Sequence, residues 1–167
     1  VTSRSGATLE VRGLVRRFGG LIAVNNISFD VKSGEILGLI GPNGSGKSTV
    51  MKLIMGIVRP NAGMISLDGV AIAGLPPHRI SRAGVGIVFQ HSRPLQRQTV
   101  LEHIKLALLP DKLLHLIGDA SVDSRAREIA ARVGLSAVAD RLPRTLAFAD
   151  LRRMEIAKAI ARDPKVV

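Results

Sequence analysis

The segment IGPNGSGKSTV, residues 40–50, leaves this chain few folds to choose from. It follows EILGLI (Glu35–Ile40), a short apolar run with the length and flanks of a buried parallel strand. It opens KSTVMKLIMG, where Val50, Leu53, Ile54 and Ile57 recur at helical spacing and Gly56 stands where a C-terminal breaker belongs. Strand, glycine-rich turn and helix are the setting in which G-x-x-x-x-G-K-[ST] cradles a polyphosphate.

Each residue type in the loop has a physical task. Gly41, Gly44 and Gly46 open backbone conformations closed to other residues and let the main chain approach a ligand closely. With Pro42, Asn43 and Ser45 they form the loop, whose successive N–H groups make a nest for phosphate oxygens. The helix N-terminus behind them adds about half a positive charge. Lys47 is placed to reach the β- and γ-phosphates, Ser48 to offer its hydroxyl to Mg²⁺, and Thr49 to donate to a phosphate nearer the sugar.

Composition bounds what surrounds the loop. With 46% hydrophobic residues the chain can bury one core, and no apolar run approaches the roughly 20 residues that span a bilayer. The start, VTSRSGATLEV, lacks the apolar centre of a signal peptide, and the absence of Cys excludes disulfides and thiolate metal sites. Both fit a cytoplasmic chain. The formal charge of +11 suits anionic partners, but Arg and Lys are scattered, without a run of five. Four Phe with no Tyr or Trp give no aromatic RNA-binding pattern. Solvated faces that also attract nucleotide are the expectation. A nucleic-acid surface is the alternative, and a steep salt dependence of binding would distinguish it.

Along the chain, Leu9 and Val11, then Ile27, Phe29 and Val31, alternate with period two and predict antiparallel strands. Ser33-Gly34 is the turn into the apolar run, RPNAG is another turn, and MISLDG is a strand ending in a turn. PPHRISRAG predicts a short proline-started helix, and VGIVFQ a buried strand. From Thr99 helices dominate. Thr99 and Glu102 form a capping box, Ala126, Ile129, Ala130 and Val133 share one face closed by Gly134, and a last helix runs from about Leu151 to Ala161. The predicted architecture is an α/β phosphate-loop core with N-terminal antiparallel strands over 1–98, an inserted helical subdomain over 99–162, and the start of a further core strand at 163–167.

Taken together, the loop, VGIVFQ and LAFADLRRMEIAKAIARDP resemble the ATP-binding subunit of an ABC transporter, over nearly all residues from Leu9 onward. The resemblance implies ATP and Mg²⁺ as ligands, a second ATP-binding subunit, and membrane-spanning permease partners at the inner face of the membrane. Phe18 stands where that family stacks an aromatic on adenine, and Val24 would pack on the same base. Gln90 matches the glutamine whose amide oxygen ligates Mg²⁺, and the segment from His91 to Thr99 would touch the permease.

Leu146 to Asp150 align with the signature LSGGQ, a helix N-terminus offered to ATP on the opposite subunit. Ala147 replaces the serine, Phe148 and Ala149 the two glycines, and Asp150 the glutamine. Some amino-acid importer ATPases resemble L-A-[FY]-G-[DQ], which leaves Ala149, a methyl where backbone should approach phosphate, as the unusual choice. RRFGGLIAVNNISF, FQHSRPL and RRMEIAKAIARDP are most similar to the ATPases of branched-chain or other hydrophobic amino-acid importers.

In the family pattern an apolar strand ending in Asp-Glu follows, whose carboxylates support Mg²⁺ and polarise the attacking water. This sequence reaches Val167 at the opening of that strand. Glu155 lies inside the last helix as a surface or salt-bridge residue, and Asp163 favours the bend before Pro164; neither sits at a strand end as a general base would. His78, His91, His103 and His115 share no spacing and read as structural or surface residues. The 167 residues are therefore expected to hold Mg·ATP without hydrolysing it efficiently, and to leave apolar sheet surface without partners.

Overall fold

The structure is a computed structural model that describes residues 9–89, 94–109 and 120–167. Alternation builds its first element pair. Leu9–Phe18 (β1) and Leu21–Val31 (β2) form an antiparallel hairpin, and Ala62–Leu67 (β3) pairs with the other edge of β1. Val70–Ala71 (β4) completes a sheet of order β2-β1-β3-β4. Strict period two does not survive along β1. Leu9 and Val11 are buried, and an irregularity at Gly13 (φ 58°) shifts the phase so that Leu14 is the next buried side chain.

Lys47–Ile54 (α1) buries Val50, Leu53 and Ile54 and packs on β2. Ile57, expected on the same face, lies beyond the helix end and is exposed, because the chain already reverses at Gly56, whose N–H donates to Leu53 O at 3.1 Å. Pro77–Ala83 (α2) starts on proline as predicted.

Two expected strands are absent as strands. Glu35–Ile40 has no strand pairing, and Ile36 and Ile40 are 97% and 92% exposed. Of Val85–Phe89, the described part of VGIVFQ, Val85 alone makes a bridge, parallel to Val166, and Phe89 is half exposed. The reason is physical: ladder hydrogen bonds come from a neighbour, and among the described residues none pairs with Glu35–Ile40, while the second segment meets only Val166, whose N–H donates to Gly84 O at 3.1 Å. Apolar surface is left open at Ile36, Ile40 and Phe89.

The chain divides into two compact units, residues 1–85 with Val166 and residues 86–165 with Val167, so the expected division at residue 98 falls inside the second. The second unit is helical. Val100–Leu108 (α3), Ala120–Arg132 (α4) and Phe148–Ile160 (α5) share a core of Val100, Ile104, Ala126, Ile129, Ala130, Met154 and Ala157. Val133 packs against this core and Gly134 (φ 74°) follows α4 as read. The last helix begins at Phe148 rather than Leu151, which makes the signature segment its first turn. Among the described residues, scattered basic side chains that pair with a carboxylate include Arg12, Lys105, Arg125, Arg127, Arg153 and Lys158.

The capping box of α3 is complete. Thr99 Oγ1 accepts from Glu102 N at 3.2 Å, and Glu102 Oε2 accepts from Thr99 N at 2.6 Å. That backbone bond, foremost, holds the Glu102 carboxyl below its ordinary value. Asp123 is lowered too, by hydrogen bonds from Lys105 first and Arg127 second. A depressed carboxyl contributes stability above its unfolded pKa and loses it as pH falls through its folded one. Thr99→Ala is expected to lower the unfolding free energy by about 1 kcal/mol at neutral pH. Glu102→Gln is expected to flatten part of the acid-side loss. Urea midpoints measured from about pH 6 down to about pH 3 check both, and an acid limb unchanged in Glu102→Gln would count against the box.

Candidate functional site

The loop of residues 41–46 is seated by the strand next to it. Gly46, the N-cap of α1, adopts φ 94°, and a Cβ added there would lie 2.3 Å from Ala23 O on β2. Val24, expected to pack on the base, is 2% exposed and lies with Cγ2 3.6 Å from that Cβ position, so it braces the loop and has almost no surface left to offer a base. β2 therefore fixes where the helix begins, and glycine is required for the approach.

Lys47 turns back into the loop. Its ammonium donates to Gly41 O at 2.8 Å and Pro42 O at 2.7 Å, and lies 3.4 Å from Ser45 Oγ. Ser45 N–H donates to Pro42 O at 3.2 Å, which closes the turn. The first bond along α1 is Val50 N–H to Gly46 O, so the amides of the first turn have no intrahelical acceptor. No acidic residue lies in that turn. A cation held by exchangeable carbonyls, unsatisfied amides and a helix N-terminus without a competing carboxylate form one anion site.

Ser48 is exposed on this turn and Thr49 half-buried beside it, while Pro42, Asn43 and Gly44 face solvent. Mg²⁺ keeps several waters and draws ligands from phosphates, so a single hydroxyl such as that of Ser48 suits it. Among the described residues no group of three or more His, Cys, Asp or Glu could hold a metal ion without such help. Gln90, the other predicted Mg²⁺ ligand, lies outside the described residues, as do His91 and His115.

Phe18 ends β1 with 44% of its surface exposed, and the Arg16 guanidinium sits 4.4 Å from its ring centroid. Reading the sequence missed this neighbour. The signal was there, since residues two apart on a strand share a face.

In the helical unit, Ala147 is the N-cap of α5 and makes no side-chain cap. Asp150 N–H and Leu151 N–H both donate to Ala147 O, at 3.0 and 3.1 Å. Phe148 is 73% exposed and Ala149 exposed, while Asp150 pairs with Arg153 at 3.2 Å. A carboxylate in the first turn is favourable to the helix dipole, so Asp150 already supplies negative charge where a phosphate would be received. Arg152, also missed, stacks 5.3 Å from the Phe148 ring and donates to Phe89 O at 2.8 Å. It ties the start of α5 to the residue preceding Gln90.

The acids considered as bases are held elsewhere. Glu155 is 4% exposed and paired at 2.7 Å with the half-buried Lys158, the salt-bridge role of the two expected for it. Asp163 (φ 47°) sits in its bend and pairs with Arg125 at 2.9 Å. His103 is structural: Nδ1–H donates to Thr99 O at 2.7 Å, and Nε2 accepts from Leu95 N–H at 2.9 Å.

Comparison with known proteins identifies the family. The ABC transporter family model matches residues 24–167. The high-affinity branched-chain amino acid transport ATP-binding protein LivG of Salmonella typhimurium is 39% identical over 170 residues, covering 95% of this chain and 67% of the relative. BraF of Pseudomonas aeruginosa, of the same description, is 38% identical with the same coverage. The solved structure of MJ1267, an ATP-binding cassette of an ABC transporter, superposes with a TM-score of 0.85 at 27% identity, over 96% of this chain and 67% of that one. The chain thus spans about two thirds of the length of these proteins, with their α/β fold and an intact phosphate loop, and it belongs to the ABC transporter family.

Proposed function

We propose that this chain is the ATP-binding, energy-coupling subunit of an importer for branched-chain or other hydrophobic amino acids. The observation that carries the reading is the assembled anion site, Lys47 ammonium inside the Gly41–Gly46 loop at the head of α1, in a chain 39% identical to LivG. Phosphates bind to the amides and ammonium of Gly41–Thr49, and the base stacks on Phe18 while Val24 supports the loop beneath. Ser48 would offer its hydroxyl to Mg²⁺, which when bound neutralises phosphate charge, and the resemblance assigns Gln90 as a second ligand. A second ATP-binding subunit meets the signature turn Ala147–Asp150, and the segment after Gln90 docks on a permease at the inner face of the membrane. No described helix is long and apolar enough to cross a membrane, consistent with a peripheral subunit.

Equilibrium titration of the chain with ATP, with and without Mg²⁺, tests the core of this reading. Saturable binding tightened by Mg²⁺ is expected, and no saturable binding would sink it. Uptake of labelled leucine by cells lacking and then regaining the gene tests the cargo.

A further inference from the structure

Arg16 is the residue of the nucleotide site that neither the loop motif nor the base-stacking position accounts for. Three observations single it out. Its guanidinium lies 4.4 Å from the Phe18 ring centroid, within cation–π range. Its Nη1 donates to Arg59 O at 2.9 Å, which fixes the fork in place. Its Nε is buried without a hydrogen-bond partner, an arrangement with a desolvation cost that arginine on a strand would avoid by turning to water. The side chain is held on the ring rather than extended.

Phe18 is at the end of its strand and half exposed, so left alone its ring would sample several orientations. With the guanidinium on one face, the surface still open is the opposite face and the rim. A flat, fixed apolar face suits a purine, since every base has a π-face to stack. The cation behind the ring also draws electron density away from the open face, which favours an electron-rich base there.

We propose that Arg16 is a positioning residue of the nucleotide site, anchored on Arg59 O, which clamps Phe18 as one side of a guanidinium–phenyl–purine stack. This rests on the reading that Phe18 carries the base. The gain comes from pre-organisation: the ring is ordered before the nucleotide arrives. Arg16 acts on the base end of the ligand and leaves the phosphate end to Lys47.

The test compares ATP with inorganic tripolyphosphate, which has the phosphates and no base, on the parent chain, Arg16→Met, Phe18→Ala and the double variant. Arg16→Met is expected to weaken ATP binding about three- to tenfold, in the range of one cation–π contact and a lost ring orientation. Tripolyphosphate binding is expected to stay unchanged, which also reports that the loop remains folded. In the Phe18→Ala background, Arg16→Met should add nothing to ATP binding. ATP affinity unchanged or improved in Arg16→Met overturns the proposal, the latter because it would place the guanidinium where the base belongs. Equal weakening of both ligands overturns it too, since that is a long-range charge effect. If Phe18→Ala itself binds ATP like the parent, the base-stacking reading fails first, and that result is distinct from all the others.

Discussion

Lys47→Ala is expected to weaken ATP binding by about 100-fold or more. The ammonium now bonds Gly41 O and Pro42 O, and a phosphate exchanges those neutral acceptors for anionic ones. The two carbonyl bonds given up roughly cancel two bonds to phosphate, so the gain is the charge–charge attraction, about 4 kcal/mol at about 4 Å near a protein surface; after partial desolvation about 3 kcal/mol remains, near two decades in Kd. The substitution also removes the tie across the loop, so the amide nest loses definition together with the charge. Lys47→Arg should not rescue it, because a planar fork cannot meet three acceptors clustered around a point charge. Isothermal titration with ATP at fixed salt reads the effect, and a Kd within threefold of the parent would end the anion-site interpretation.

Gly46→Ala should have the largest effect on the fold of the site itself. The position combines φ 94° with a Cβ that would sit 2.3 Å from Ala23 O, a backbone atom of β2 that cannot swing aside. Left-handed strain and forced separation of helix from strand together cost about 2–4 kcal/mol. Gly44 is the internal control: its φ is 83°, yet an added Cβ meets nothing within 4 Å, so Gly44→Ala should cost about 1–2 kcal/mol from backbone strain alone. Urea unfolding curves with equal slopes give the comparison directly. Equal midpoints for the two variants would mean that β2 does not brace the loop.

These two variants also show how legible the site was. The need for glycine at residue 46 could be read from the motif, but its particular partner could not. Ala23 is more than twenty residues away, and only the β1–β2 hairpin and the packing of α1 on β2 bring it under the loop. The capping box was fully legible because Thr99 and Glu102 close it within one turn. The α5 start was misjudged by three residues because Ala147 carries no capping side chain to mark it. The alternation of β1 was read correctly until Gly13, where a phase shift that depends on the partner strands moved the buried position to Leu14.

Short-range chemistry therefore belonged to the sequence alone: the phosphate loop, the Thr99 cap, the helical face of α4 and the hairpin alternation each depend on residues within a turn or a strand of one another. Tertiary structure alone decided that Arg16 covers Phe18, that Arg152 reaches Phe89 O, and that Glu35–Ile40 stays unpaired rather than becoming a strand. The division follows from the forces involved. A cap or an amphipathic face is satisfied by its own neighbours, whereas a strand or a stacked cation exists only when a distant part of the chain supplies the other half.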